Sequence, residues 1–207
     1  MTSIIDRLAE NFSKFPGIGP RQAKRFVYHL LQQDSAYLGT LSQNILRLKK
    51  EINRCSKCFR YYPPIENYDE LCELCRSNNR TKEMLMVVAK DTDIDSVEKS
   101  HAYDGLYFVL GGLIPLTENS PDQSIREKEL LKRLEPVNGE SKISEIIIAM
   151  PANTEGDHTT EYFENLLKNV YVQKNIKISK LGRGMSTGTE LEYSDTSTIT
   201  SALKNRT

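Results

Sequence analysis

Four cysteines, a glycine bend followed by cations, and one acid pair are the residues whose types and spacing could do chemistry. All four cysteines fall in CSKCFRYYPPIENYDELCELC, as Cys55, Cys58, Cys72 and Cys75. The pattern C-x2-C-x13-C-x2-C brings two hairpin-like pairs together, and four thiolates suit tetrahedral Zn(II). Disulfides are the rival reading, but the N-terminus MTSIIDRLAENF carries no leader pattern, and a cytosolic chain keeps its thiols reduced. Redox CxxC chemistry needs only one pair, and an iron–sulfur cluster finds no other sign of electron transfer in the chain. Structural zinc is the favoured reading, and with four protein ligands it has no open position for catalysis.

The glycine bend lies in KFPGIGPRQAKRF, residues 14–26, where two prolines and two glycines occupy five positions. Gly17 and Gly19 permit φ > 0 and leave no Cβ to block another molecule. The loop amides are expected to point outward together, leading into a helix N-terminus that favours an anion such as phosphate. At 100° per residue, Arg21, Lys24, Arg25 and Tyr28 share about 100° of arc, opposite Ala23, Phe26, Val27 and Leu30. The competing reading is a plain link between packed helices with a solvated charged face.

The acid pair is Glu155 and Asp157, in EIIIAMPANTEGDHTTEYF just past a buried strand. That is the carboxyl edge where α/β sheets put their ligands. Two acids one residue apart could share Mg(II). The alternative makes Asp157 a helix N-cap, since an amphipathic run with Phe163, Leu166, Leu167 and Val170 follows. His29, His101 and His158 have no Cys, Ser or carboxylate arrangement around them and read as helix-surface or loop residues.

The elements that must position these residues change character along the chain. Helices are predicted over about 3–14, with Ser3 and Asp6 spaced as a capping box, over 20–33 with Pro20 at the first position, and over 36–53. In the third, Leu38, Leu41, Ile45, Leu48 and Ile52 make a narrow seam. The seam serves either packing on neighbouring helices or a subunit interface. The cysteine segment follows, over 55–82. Strands at 84–88, 106–110 and 145–150 alternate with helices near 93–100, 125–134 and 157–169, which indicates a parallel sheet covered on both faces. The end reads as a strand, a Gly-rich loop, a short strand and a helix near 196–205.

The formal net charge of zero conceals a split. Residues 1–82 carry +6 and residues 83–207 carry −6, an asymmetry that points weakly to nucleic acid as partner of the basic half. No run approaches the ~20 apolar residues of a membrane span, so a soluble chain without membrane contact is expected.

The helix–PGIG–helix stretch resembles the helix-hairpin-helix motif, which grips the DNA backbone without reading bases. The strand–helix half is similar to the Toprim fold of topoisomerases, primases and some nucleases. Those enzymes need a glutamate at the end of the first strand, where this chain has Ala89 and Lys90, with Asp91 and Asp93 further on. Together FPGIGPRQAKRF, CSKC…CELC, YDGLYFVLGGLIP, LLKRL, NTEGDHTTEY and GRGMSTGTELEYSDTSTITSAL resemble the RecR family of bacterial recombination mediators over nearly the whole chain.

That resemblance implies an α+β multidomain fold. Its parts are a helix-hairpin-helix domain (1–54), a zinc-finger segment (55–82), an α/β Toprim domain with a parallel sheet (83–176) and a C-terminal strand/helix tail (177–207). It implies a non-enzymatic, cytoplasmic and nucleoid-associated protein that forms a homo-oligomer, from dimer to ring tetramer. Such a protein binds single-stranded and duplex DNA and works with RecO, and in some settings RecF, to load RecA on DNA coated by single-strand-binding protein. Gly17, Gly19, Arg21, Lys24 and Arg25 would face DNA, and Cys55, Cys58, Cys72 and Cys75 would hold zinc. Glu155 and Asp157 would fall on the surface presented to RecO. The chain departs from the family in a longer loop between the cysteine pairs, in Ala89-Lys90, and in Ser186 where the tail usually has proline. A Mg-dependent Toprim nuclease or topoisomerase-like enzyme is the alternative, and an adaptor touching only proteins is a third reading.

Overall fold

Two units divide the chain, Met1–Ile52 and Asn53–Thr207. The computed structural model describes residues 3–64, 70–117, 125–135, 143–171, 176–182, 188 and 190–204. Ser186 and residues 65–69 of the loop between the cysteine pairs lie outside them.

In the first unit, α1 (Ile4–Ser13) begins where the Ser3 hydroxyl accepts the Asp6 amide at 3.2 Å. The capping box is half made: the Asp6 carboxylate accepts from the Ser3 hydroxyl at 2.7 Å instead of from the Ser3 amide. α2 (Pro20–Leu31) starts with Pro20, whose missing N–H costs nothing in a first turn. α1 and α2 close on Ala9, Ala23 and Val27, flanked by Ile5, Leu8, Phe12 and Ile18. Phe12 contacts Phe15 and Phe26 edge-on, with centroids 5.9 and 5.7 Å away. α3 (Ser35–Glu51) is capped by Asp34, which accepts the Tyr37 amide at 2.7 Å. It buries no residue. Its seam stays open, with Ile45 58% and Leu48 59% exposed.

The second unit opens with a two-stranded antiparallel pair, β1 (Asn53–Arg54) and β2 (Tyr61–Tyr62), followed by the single-turn helix α4 (Glu73–Arg76). Then come β3 (Met84–Val88), α5 (Asp91–Ser100), β4 (Leu106–Val109), α6 (Glu127–Leu134), β5 (Glu145–Ala149), α7 (Thr154–Tyr171) and β6 (Lys177–Lys180). The four later strands pair in parallel in the order β4-β3-β5-β6. Such a sheet needs cover on both faces, and the alternation along each strand supplies it. Leu85, Val87, Phe108, Ile146 and Ile148 pack with Leu130, Leu134, Phe163 and Leu167, from α6 and α7. Met86, Val88, Tyr107 and Val109 pack with Ile94 of α5 on the other face.

Two elements at the end differ from expectation. The strand predicted at the start of the tail, β6, is the fourth strand of the sheet, with Ile178 against its core. Where a second short strand is predicted, Leu191–Tyr193 form a 3-10 turn. Its Leu191 and Tyr193 are exposed, and nothing among the described residues pairs with it as a strand would. α8 (Thr196–Lys204) closes the chain, with Asp195 accepting the Thr198 amide at 2.9 Å.

Candidate nucleic-acid interface and metal centre

The bend is tighter than its glycines alone imply. Ile18 donates its amide to the Phe15 carbonyl at 3.1 Å, and Gly17 sits at φ +75° after Pro16. This is the signature of a type II turn. The Ile18 amide is therefore turned inward, contrary to an arrangement with all the loop amides pointing out. Outward donors remain at the start of α2. Gly19 is its N-cap and has no side chain to cap with, and the first bond closing the helix runs from the Ala23 amide to Gly19 O at 2.9 Å. The Arg21 and Gln22 amides are thus left to an outside acceptor. A Cβ on either Gly17 or Gly19 would meet no atom within 4 Å, so the space above the corner is open.

Arg21, Lys24 and Arg25 are all exposed beside this corner, while Ala23 and Val27 are buried on the other side of the helix. Lys24 lies 4.0 Å from Asp6, a distance at which a solvated pair contributes little. Arg25 reaches Gln22 at 3.3 Å. Arg21 has no ion-pair or hydrogen-bond partner among the described residues.

The four cysteines converge. Their sulfurs all lie within 4.8 Å of one another, with Cys58 and Cys72 at 3.5 Å, and no two are disulfide-bonded. Tetrahedral zinc with bonds of about 2.3 Å sets its sulfurs roughly 3.8 Å apart, so the donor set fits. The first pair sits in the turn between β1 and β2. There Cys55 donates its amide to Arg60 O at 2.9 Å, and Phe59 takes a left-handed φ of +63° to close the loop. The second pair lies on α4, with Cys72 at its N-cap and Cys75 in its turn. Ser56 N–H joins the halves through Glu70 O at 2.8 Å. Crowding couples the thiols: hydrogen bonding with Cys58 holds Cys55 below the usual thiol range, and the same contact, with burial, holds Cys58 above it. A divalent cation would replace these shared protons.

This segment is fastened to the edge of the sheet. Val109 N–H on β4 donates to Cys58 O at 2.8 Å, and Phe59 packs on Phe108 with centroids 5.3 Å apart. Arg54 and Arg126 lie over the Phe59 ring, each 5.5 Å from its centroid. Further along, Arg80 grips Glu98 of α5 through two bonds of 2.7 and 3.0 Å, and Tyr107 O–H donates to the same carboxylate at 2.6 Å.

β3 and β5 are neighbours followed by helices on opposite faces, so the crevice of this sheet opens between their carboxyl ends. On the β5 side, Glu155 and Asp157 lie exposed in the first turn of α7. Asp157 is not the cap of that helix. Asn153 is, accepting the Gly156 amide at 2.8 Å, so α7 begins three residues before the predicted start. Gly156 is required there, because a Cβ would drive into the Pro151 carbonyl oxygen. On the β3 side, Ala89 is buried and Lys90 exposed. Asp91 accepts the Tyr61 amide at 2.7 Å and Asp93 the Lys90 amide at 2.9 Å. Among the described residues, no third carboxylate or histidine joins Glu155 and Asp157 in a metal-holding group. His158 turns Nδ1 to Ile114 O at 3.4 Å.

Comparison with known proteins matches three stretches of the chain. Residues 5–48 match the family model described as RecR, helix-hairpin-helix, residues 83–181 the Toprim domain, and residues 184–207 the model described as RecR, C-terminal. The chain is 36% identical over 203 residues to Recombination protein RecR of Chloroherpeton thalassium, covering 98% of this chain and 95% of that protein. The chain belongs to the RecR family. Other RecR relatives include those of Cyanothece sp., 33% identical over 99% of this chain and 96% of theirs, and of Bdellovibrio bacteriovorus, 34% identical over 99% and 97%. In this RecR chain no helix of the described residues is long and apolar enough to cross a membrane.

Several positioning residues carry no sequence motif. Thr159, fully buried, accepts the Ile114 amide at 2.9 Å and donates to Glu155 O at 2.7 Å, which ties the loop after β4 to the turn bearing the acids. Arg126 donates to Val109 O at 2.9 Å and stands where a side chain on Gly111, at φ +94°, would have to go. Asn153 was within reach of sequence, as an Asn three residues before a glycine at the head of a helix. Thr159 and Arg126 were not, since the partners that give them their roles, Ile114 and Val109, are distant in the chain.

Proposed function

We propose that this chain is a DNA-binding recombination mediator that acts in recombinational repair, not an enzyme. The observation that carries the reading is the open corner at Gly17 and Gly19, where uncapped amides of Arg21 and Gln22 meet the exposed cations Arg21, Lys24 and Arg25. Donors of this kind bind phosphate without reading bases. The kinship with recombination proteins supplies the setting. In it the chain works in the cytoplasm with RecO, and where present RecF, to help RecA displace single-strand-binding protein. Cys55, Cys58, Cys72 and Cys75 hold a structural zinc, and Glu155 and Asp157 belong to the surface offered to RecO. The four-part division at 54/55, 82/83 and 176/177 describes these roles. The open seam of α3 supports a homo-oligomer, which multiplies weak contacts with one DNA strand.

The Mg-dependent enzyme reading is disfavoured by the diversion of Asp91 and Asp93 to backbone amides. Salt titration of DNA binding tests the proposal. Affinity should fall by roughly 0.9 log unit per phosphate contact per decade of salt on duplex. Arg21→Ala should weaken unrelated sequences equally and lower that slope by about one. Absence of binding at low salt refutes the reading. So does Mg-dependent cleavage abolished by Asp157→Asn.

A further inference from the structure

The basic face of α2 carries one side chain that phosphate contacts leave unused. Tyr28 is 55% exposed and has no ring, hydrogen-bond or ion-pair partner among the described residues. The apolar stripe of the helix, with Ala23 and Val27 at its centre, is buried against α1 without it. Counting about 100° per residue, Lys24 lies roughly 60° to one side of Arg21, Arg25 roughly 40° to the other, and Tyr28 about 20° away, inside that arc. Tyr28 is also the i+3 neighbour of Arg25 and the i+4 neighbour of Lys24, so the three occupy neighbouring positions on the helix surface.

We infer that Tyr28 is a stacking platform for an unpaired base, and that α2 therefore prefers an unpaired DNA strand to intact duplex. The inference rests on the DNA-binding reading of the bend and names the form of DNA that surface takes. Cations alone neutralise the phosphates of either form. A flat ring set among them adds affinity only where a base is free of its own stack. Every base offers a π-face, so the preference is for strandedness and not for sequence.

The test uses the full-length, zinc-loaded protein, with fluorescence anisotropy on one mixed-sequence oligonucleotide, single-stranded and as duplex, at one low salt concentration. Tyr28→Leu should weaken single-strand binding roughly 5- to 150-fold and leave duplex binding within about twofold. Tyr28→Phe keeps the ring and should leave both within about twofold of the unsubstituted protein. A 2-aminopurine in the strand should lose fluorescence on binding the unsubstituted and Phe proteins but not the Leu protein. Sedimentation should give the same particle mass for all three. Equal weakening on both DNA forms overturns the inference while leaving the DNA-binding reading intact. A changed mass for Tyr28→Leu overturns it by making the ring a contact between copies. If the unsubstituted protein binds neither form, the DNA-binding reading itself fails.

Discussion

Gly17 and Gly19 are two residues apart, yet the structure gives them different reasons to be glycine, and alanine at each separates the two. Gly17 sits at φ +75°, so a Cβ there is strained although it meets nothing. The left-handed conformation costs an L-residue about 1–2 kcal/mol, on top of any effect on binding. Gly19 is at φ −81° in extended backbone, and its added Cβ also meets nothing within 4 Å. For Gly19→Ala the lost N-cap preference and the reduced entropy of the unfolded chain oppose each other, leaving a net change within about 1 kcal/mol. If phosphate reaches the Arg21 and Gln22 amides as proposed, that methyl stands in the open space it must cross. Loss of one hydrogen bond to a charged group is worth about 1.5–3 kcal/mol, or roughly 10- to 150-fold in affinity. Gly19→Ala should therefore melt within a few degrees of the unsubstituted protein and bind DNA at least about tenfold more weakly. Gly17→Ala should lose stability as well as binding. Circular-dichroism melts and anisotropy on the same preparations decide it. Gly19→Ala binding DNA at full strength would show that nothing approaches the corner closely, and the assignment of that surface would fall.

Four other outcomes follow from particular contacts. With zinc held as proposed, a chelator, or Cys72→Ser, should release about one zinc per chain and lower the melting temperature of the second unit, because Cys58 O also accepts from the edge strand at Val109. Burial pushes the Glu98 carboxyl up, but the hydrogen bonds from Arg80 and Tyr107 outweigh it and hold the group below its ordinary 4.5. The stability it contributes is present above that ordinary value and is lost as pH falls through the lowered one, so Glu98→Gln should flatten the acid limb of a melting-temperature profile. Gly156→Ala should cost about 1–3 kcal/mol in urea unfolding through its clash with Pro151 O. Ile45→Glu with Leu48→Glu should reduce the particle mass in sedimentation while leaving each chain helical, since both side chains are already exposed in the single chain.

How far the sequence disclosed this arrangement depends on where each residue finds its partner. MLMVV, LYFV and EIIIA read as buried strands because a parallel sheet covered on both faces admits apolar residues at every position. The cysteine cluster was legible from spacing alone, since two CxxC turns can share one cation only by converging. The start of α7 was not. Its first turn, Thr154–Asp157, is polar and is set by the Asn153 cap and the approach of Gly156 to Pro151, so an apolar stripe first marks the helix later on. The inward Ile18 amide was hidden for a related reason: a glycine permits φ > 0, but only the turn around it decides which amide is used. Leu191–Tyr193 has the residue types of a strand, and a strand exists only with a partner to bond.

The fate of the aspartates after β3 bears on what the Toprim sheet is for in this chain. A carboxylate engaged by a backbone amide is already solvated by protein and is held in one orientation. Asp91 is engaged by Tyr61 N–H on β2, between the two cysteine pairs, and Asp93 by Lys90 N–H at the head of α5. Moving either to a metal would forfeit a charge-assisted bond and, for Asp91, loosen the cysteine segment from the sheet. Lys90 adds a positive charge beside the same crevice, which repels a divalent cation. The edge that could have gathered metal ligands is thus spent on joining the four-cysteine segment to the sheet. Across the crevice, Thr159, Asn153 and Gly156 fix the turn that displays Glu155 and Asp157. Glu155 and Asp157 are thus exposed on a turn whose backbone is firmly set, and among the described residues they stand in no metal-holding group.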